Sequence, residues 1–211
     1  MKPIGRLMFL ATIAAAVAFA QQWEFGGSAG GGFLNTVNAS NSFGTATAGF
    51  ANGPAFGGYF GHNMYKHMGG ELHYEYLHTD LKLTSGSSTS DFNGQQHAIH
   101  YDVIFHTSGN KKTQLFAAVG GGMKIYRGTG AEAAYQPLYQ YGYFTKTQQL
   151  LPMASVGGGM KIALSRKVYL RTEIRDYITA FPKDVIAPPP GTKYGSILHN
   201  FVPTVGLGFA M

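Results

Sequence analysis

The chain of 211 residues has no cysteine, and charged residues make up only 12% of it, about half of the roughly 25% found in an ordinary soluble domain. Without cysteine there is no disulfide, no thiolate metal ligand and no acylated N-terminus. So little charge could not clothe the outside of a water-exposed domain of this size. Beyond the first twenty residues no apolar run approaches the ~20 residues of a membrane helix. The net charge is +6, but no Lys/Arg cluster accompanies it, which removes a nucleic-acid partner from consideration. What is abundant instead is glycine (30 residues), phenylalanine (15) and tyrosine (13).

The N-terminus reads as an export signal. Lys2 and Arg6 precede an apolar run from Leu7 to Phe19, and Ala18-Phe19-Ala20 matches small-x-small cleavage. Residues 1–20 are therefore expected as a signal peptide and residues 21–211 as one domain.

That domain is organised around VYLRTEIRDY at 168–177. Val168, Leu170, Thr172 and Ile174 alternate with Tyr169, Arg171, Glu173, Arg175 and Tyr177, the period of two that marks a strand with unlike faces. Seven other stretches alternate in the same way: 23–34, 54–61, 68–82, 95–106, 113–126, a stretch around 156–162, and 201–211. In the third, Leu72, Tyr74 and Tyr76 oppose Glu71, His73 and Glu75. In the fourth, Ile99, Tyr101, Val103 and Phe105 oppose His100 and Asp102. VGGGMKI occurs at 119–125 and again at 156–162. In both copies the lysine lies on the face opposite Val, Met and Ile, as though each solved the same wall position.

The connections alternate in length. Residues 35–53, 84–93, 128–146 and 179–194 read as long loops, and 62–66, 107–112 and 164–167 as short turns rich in turn formers. Pro54, Pro152 and Pro203 fall near the starts of strands two, six and eight, where a missing N–H costs least. Eight strands with alternating long and short connections predict an all-β fold, an eight-stranded antiparallel up-and-down transmembrane β-barrel with charges inside and lipid outside. Trp23, Phe60, Tyr65, Tyr126, Tyr177 and Phe209 are the candidates for its aromatic girdles.

Over residues 21–211 the chain resembles the OmpA/OmpX-type outer-membrane β-barrel superfamily, most locally at GELHYEY (70–76), VGGGMK (156–161) and LRTEIRDY (170–177). The resemblance implies a cell outer-membrane location, outer-membrane lipids around a monomer, and recognition by the barrel-assembly machinery through the C-terminal strand. There Phe201, Val205, Leu207, Phe209 and Met211 are spaced like the family's assembly signal, with Met211 where an aromatic is usual. It implies a structural or surface-interaction role, with an unassigned ligand at the outer loops, and not an enzyme.

The inward face is expected to hold a structural charge network of Glu24, Glu71, Glu75, Asp102, Lys124, Lys161, Arg171, Glu173 and Arg175. Five negatives and four positives nearly cancel, as charges held in a narrow interior must. Glu71 and Glu75, four residues apart on one strand, stand ~13 Å apart, too far for a glycosidase pair. His73, His100 and His106 lack metal-ligand spacing. No metal, cofactor or catalytic residue is therefore expected. Two alternatives remain open: a lipid A deacylase-like hydrolase using His106 and Ser108, and a secreted lipocalin-like barrel binding an apolar ligand.

Overall fold

A computed structural model describes residues 23–107, 112–128 and 136–211; the expected signal peptide lies outside them. The described residues form fifteen strands: β1 (Trp23–Leu34), β2 (Val37–Asn41), β3 (Gly44–Phe50), β4 (Gly53–Tyr65), β5 (Met68–His78), β6 (Leu81–Ser85), β7 (Ser88–Phe92), β8 (Gly94–His106), β9 (Thr113–Gly128), β10 (Tyr143–Phe144), β11 (Gln148–Ala163), β12 (Val168–Ala180), β13 (Ile186–Ala187), β14 (Lys193–Tyr194) and β15 (Ile197–Ala210). Eight of them close an antiparallel barrel in the order β1-β15-β12-β11-β9-β8-β5-β4, with β4 pairing back onto β1. Closure leaves no unpaired sheet edge around the wall.

Strand parity follows the sequence. Phe25, Leu72, Ile99, Val119, Ile174 and Val205 point outward and are exposed, while Glu71, His100, Asp102, Arg171 and Arg175 point inward and are buried. Two expectations fail on this same parity. Tyr126 is in phase with Lys124, and Tyr177 with Arg175, so both tyrosines are buried inside and take no part in a girdle. Trp23, Phe60, Tyr65 and Phe209 do face outward, with Trp23 and Phe60 stacked at 5.0 Å.

The two VGGGMKI copies lie on the adjacent strands β9 and β11 and meet only at the pair Val119–Val156, running away from it in opposite directions. They do not occupy the same wall position. Because the strands are antiparallel, Lys124 ends near the long connections and Lys161 near the short turns. The inward glycines of the second copy make room for lumen side chains. A Cβ on Gly157 would stand 2.9 Å from Arg175 Cγ, and on β15 a Cβ on Gly208 would run into the Tyr169 ring. Pro203 also departs from expectation, as the seventh residue of β15 and not near its start. The β1–β15 register passes from Gly30–Thr204 to Phe33–Phe201, so the ladder lapses where proline has no N–H to give.

The larger difference is at the long-connection end. The spans 35–53 and 84–93, expected as loops, fold into hairpins, and the strand expected over 68–82 stops at His78. Leu81–Ser85 starts a separate strand. Together β14-β2-β3-β6-β7 make a five-stranded sheet, and β10 pairs with β13. Val37, Ala39, Ala46, Ala48, Phe50, Leu81 and Leu83 alternate onto one side of that sheet. There they join Phe144, Phe181, Val185 and Ile186, with Leu34, Tyr126 and Leu198 from the barrel, in a single apolar cluster. Gly44 (φ +124°) and Gly86 (φ +58°) supply the left-handed backbone at the two hairpin turns. The cluster caps the barrel mouth, and Phe50 stacks on Tyr126 at 5.2 Å to join cap and wall.

A cap whose core includes only Leu34, Tyr126 and Leu198 as buried side chains of the wall can loosen while the barrel stays closed. Leu83→Ala removes a fully buried side chain from the cap alone, at an expected cost of about 2–5 kcal/mol. Limited proteolysis of the folded protein should then cut within residues 35–50 or 81–92 while the heat-modifiable barrel band persists. Loss of that band as well would show that cap and barrel unfold as one unit.

Candidate functional site

Inward parity on six of the eight barrel strands (β1, β4, β5, β8, β11 and β12) gathers the polar side chains in the turn-side half of the lumen. Glu71 on β5 is the centre. Arg171 on β12 reaches it through two parallel bonds, Nη1 to Oε1 at 2.8 Å and Nη2 to Oε2 at 2.7 Å, the geometry in which a guanidinium holds a carboxylate best. Glu173 Oε2 accepts from the same arginine at 3.0 Å (Nε) and 2.8 Å (Nη2), and lies 3.4 Å from Arg175 Nη2. Arg175 continues the chain to Asp102 on β8. At the other end Lys161 donates to Glu24 at 2.5 Å and lies 3.4 Å from Glu71. Glu24 also accepts from Tyr169 (2.6 Å) and Asn63 (2.5 Å).

Every charge in this line is nearly or fully buried. Aromatic faces complete the desolvation: the Arg171 guanidinium lies 4.2 Å from the Tyr59 ring centre and 4.5 Å from that of Phe116. His73 stacks between Tyr59 and His100. Its Nε2 is 2.8 Å from Glu71 Oε2 and 3.1 Å from Arg175 Nη2, so it serves the carboxylate in one tautomer and the guanidinium in the other. His100 Nδ1 lies 3.0 Å from Asp102 Oδ2 without hydrogen-bonding alignment.

Of the nine charges expected in one network, seven come together: Glu24, Glu71, Asp102, Lys161, Arg171, Glu173 and Arg175. Glu75 and Lys124 do not. They flank Ala98 across β5, β8 and β9, on the cap side of the others, and neither forms an ion pair among the described residues. Glu75 turns its carboxylate toward Gly57 on β4. Lys124 is fully buried with its amine 5.1 Å and 5.7 Å from the Tyr126 and Tyr177 ring centres. The barrel's stagger separates them, which strand-by-strand reading does not show. Tyr59 is a network member that sequence reasoning missed. Its signal was present, since Phe56 and Phe60 outward on β4 put Tyr59 inward.

No group of three or more His, Asp or Glu with metal-binding geometry occurs among the described residues. His106 ends β8 with Nδ1 3.0 Å from Gln114 Nε2 and 3.2 Å from the Thr107 carbonyl; Ser108 lies outside the described residues. In the cap, Tyr194 donates to the Tyr141 carbonyl at 3.0 Å, and burial raises its hydroxyl pKa above the ordinary tyrosine range.

The network predicts unequal costs for removing its cations. Arg171→Ala leaves Glu71 and Glu173 buried without their main partner and should cost ~3–5 kcal/mol, whereas Lys66→Ala in the β4–β5 turn should cost close to nothing. Lys124→Met removes a buried amine that has no carboxylate partner, and should leave stability unchanged or higher. Urea titration of the three variants in detergent micelles, read by the heat-modifiable band, checks the order. Equal midpoints for Arg171→Ala and Lys66→Ala would mean the lumen charges are solvated.

No protein-family model and no curated protein matches the sequence. Among solved structures, Neisserial surface protein A is 11% identical, with a TM-score of 0.54 over 90% of this chain and 97% of that one. The attachment invasion locus protein Ail of Yersinia pestis, in complex with a heparin analogue, is 9% identical with a TM-score of 0.46, over 90% and 99%. The N-terminal barrel domain of Pseudomonas aeruginosa OprF is 13% identical with a TM-score of 0.44, over 87% and 97%. The first likeness, with the closed eight-stranded topology, shows that the chain has the fold of the small outer-membrane β-barrels.

Proposed function

We propose that the chain is a non-catalytic outer-membrane barrel, exported through residues 1–20, that holds a rigid cap at the cell surface for a structural or contact role. The observation that carries this reading is the inside-out polarity of the wall. Its outward face is a band of exposed Phe, Leu, Ile, Val, Met and Tyr, while the charges are buried within. A secreted barrel in water would be built the other way round, with its apolar face on a ligand cavity. Among the described residues the turn-side half of the lumen is filled by the ion-pair network and the other end is covered by the cap cluster, an arrangement that suits neither a wide pore nor an apolar ligand cavity. In this reading the long connections face outside and the turns face the periplasm, and β15 presents Phe201, Val205, Leu207 and Phe209 outward for the assembly machinery and the surrounding lipid. The name of the Neisserial protein describes it as a surface protein, which accords with display of the cap.

Two measurements test it. Leu72→Arg places a charge midway along β5 on the lipid face, and insertion into bilayers should weaken by ~2–4 kcal/mol; unchanged insertion would exchange inside and outside. The absence of native cysteine permits single-site labelling of intact cells with a membrane-impermeant maleimide. Ser87→Cys, at the exposed β6–β7 turn, should label, and Arg166→Cys, in the β11–β12 turn, should label only after the outer membrane is opened. The reverse pattern would contradict the orientation.

A further inference from the structure

Four outward positions stand in one row across neighbouring strands near the cap: His78, Gln95, Arg127 and Gln148 on β5, β8, β9 and β11. The row immediately toward the turns is Tyr76, His97, Ile125 and Leu150, and the next is Tyr74, Ile99, Met123 and Pro152. The wall thus passes from polar to amphipathic to apolar over three rows, the order of headgroup, interface and acyl chain at a membrane surface.

The polar row opens into a pocket of about 350 Å³ lined by Gln95, Arg127, Gly128, Lys146, Thr147 and Gln148. It contains two cations, two carboxamides and a hydroxyl, and no carboxylate lines it. Neither Arg127 nor Lys146 makes an ion pair or side-chain hydrogen bond among the described residues, unlike the paired arginines of the lumen. The backbone around Lys146 is nevertheless fixed. Thr145 and Thr147 both donate from Oγ1 to the Asp184 carbonyl at 2.6 Å, and Gly128 N donates to the Thr147 carbonyl at 3.0 Å. A Cβ on Gly128 would overlap the Thr145 carbonyl, so glycine is what lets the two segments approach and bring Lys146 beside Arg127.

Two cations with no ion pair among the described residues, with carboxamides beside them and no carboxylate among the lining residues, form a seat for a phosphate group. Its place directly above an apolar wall selects a phosphate carried on acyl chains over a free one. We propose that this pocket binds the phosphate of a phosphorylated glycolipid in the outer leaflet, with acyl chains lying over Ile125, Leu150, Ile99 and Met123. The inference rests on the outer-membrane reading, since only that orientation puts the row at the outer leaflet.

The full chain is refolded in micelles, and the heat-modifiable band is read first. A wild-type chain without that band would overturn the membrane reading and this inference with it. Binding is then measured by native mass spectrometry with four probes: phosphorylated lipid A, the same lipid with its phosphates removed, phosphatidylglycerol and inorganic phosphate. Wild type should prefer phosphorylated lipid A to the other three. Arg127→Gln/Lys146→Gln should retain the band and lose about tenfold in affinity for it, or ~1.4 kcal/mol, to the level of the dephosphorylated lipid. Arg166→Gln at the opposite end should match wild type. Equal binding of the two lipid A forms, or an unchanged double variant, would overturn the site. Equal binding of phosphatidylglycerol or inorganic phosphate would overturn the assignment to a glycolipid.

Discussion

The bidentate pair of Arg171 and Glu71 is the constraint on which the interior depends. A narrow closed barrel has little water to solvate a lone charge. In the turn-side half of the lumen each charge is accordingly met by another at bonding distance, while Glu75 and Lys124 stand apart on the cap side. Glu71 faces Arg171 and Lys161, Glu173 bridges Arg171 and Arg175, and Asp102 and Glu24 close the two ends. Removing one partner leaves a buried charge, which costs far more than the pair itself contributes. The line of charges therefore acts less as added stability than as a condition on one arrangement of the wall.

The wall is built around that line. Glycines on β11 and β15 stand where Arg175 and Tyr169 need room, which gives a physical reason for a composition so rich in glycine. The same parity that sends charges inward sends the apolar side chains outward, so one sequence period specifies both the membrane face and the lumen filling. At the mouth the polarity reverses again. There an apolar cluster replaces the ion pairs, and Phe50 against Tyr126 marks the change.

How much of this was legible depended on the residues. Alternation in HYDVIFH marks β8 almost to the residue because large apolar and charged side chains make the period plain, and in WEFGGSAGGGFL the large residues at both ends bound β1. The cap was hidden for the opposite reason. Its strands β2 and β3 set Ala and Val against Asn, Ser and Thr, small or polar residues whose composition reads as loop and hides the period in VNAS and TATAGF, while LKL at 81–83 reads as the end of the preceding strand. For Tyr126 and Tyr177, nearness to a strand end suggests a girdle, but parity with Lys124 and Arg175 sends both rings inward. The partners of individual charges were not readable at all. Pairing Arg175 with Asp102, and leaving Lys124 with two aromatic rings, depends on the stagger of strands around the barrel.

The most direct test is a double-mutant cycle on Glu71 and Arg171, comparing Glu71→Met, Arg171→Met and the two together by urea titration in micelles. Each single change should be strongly destabilising. The double should recover most of the loss, because it leaves Lys161 paired with Glu24 and Glu173 with Arg175 and strands no buried charge, and the coupling should reach at least ~2 kcal/mol. Additive losses, with the double variant as weak as the sum of the two singles, would contradict a lumen held by mutual neutralisation.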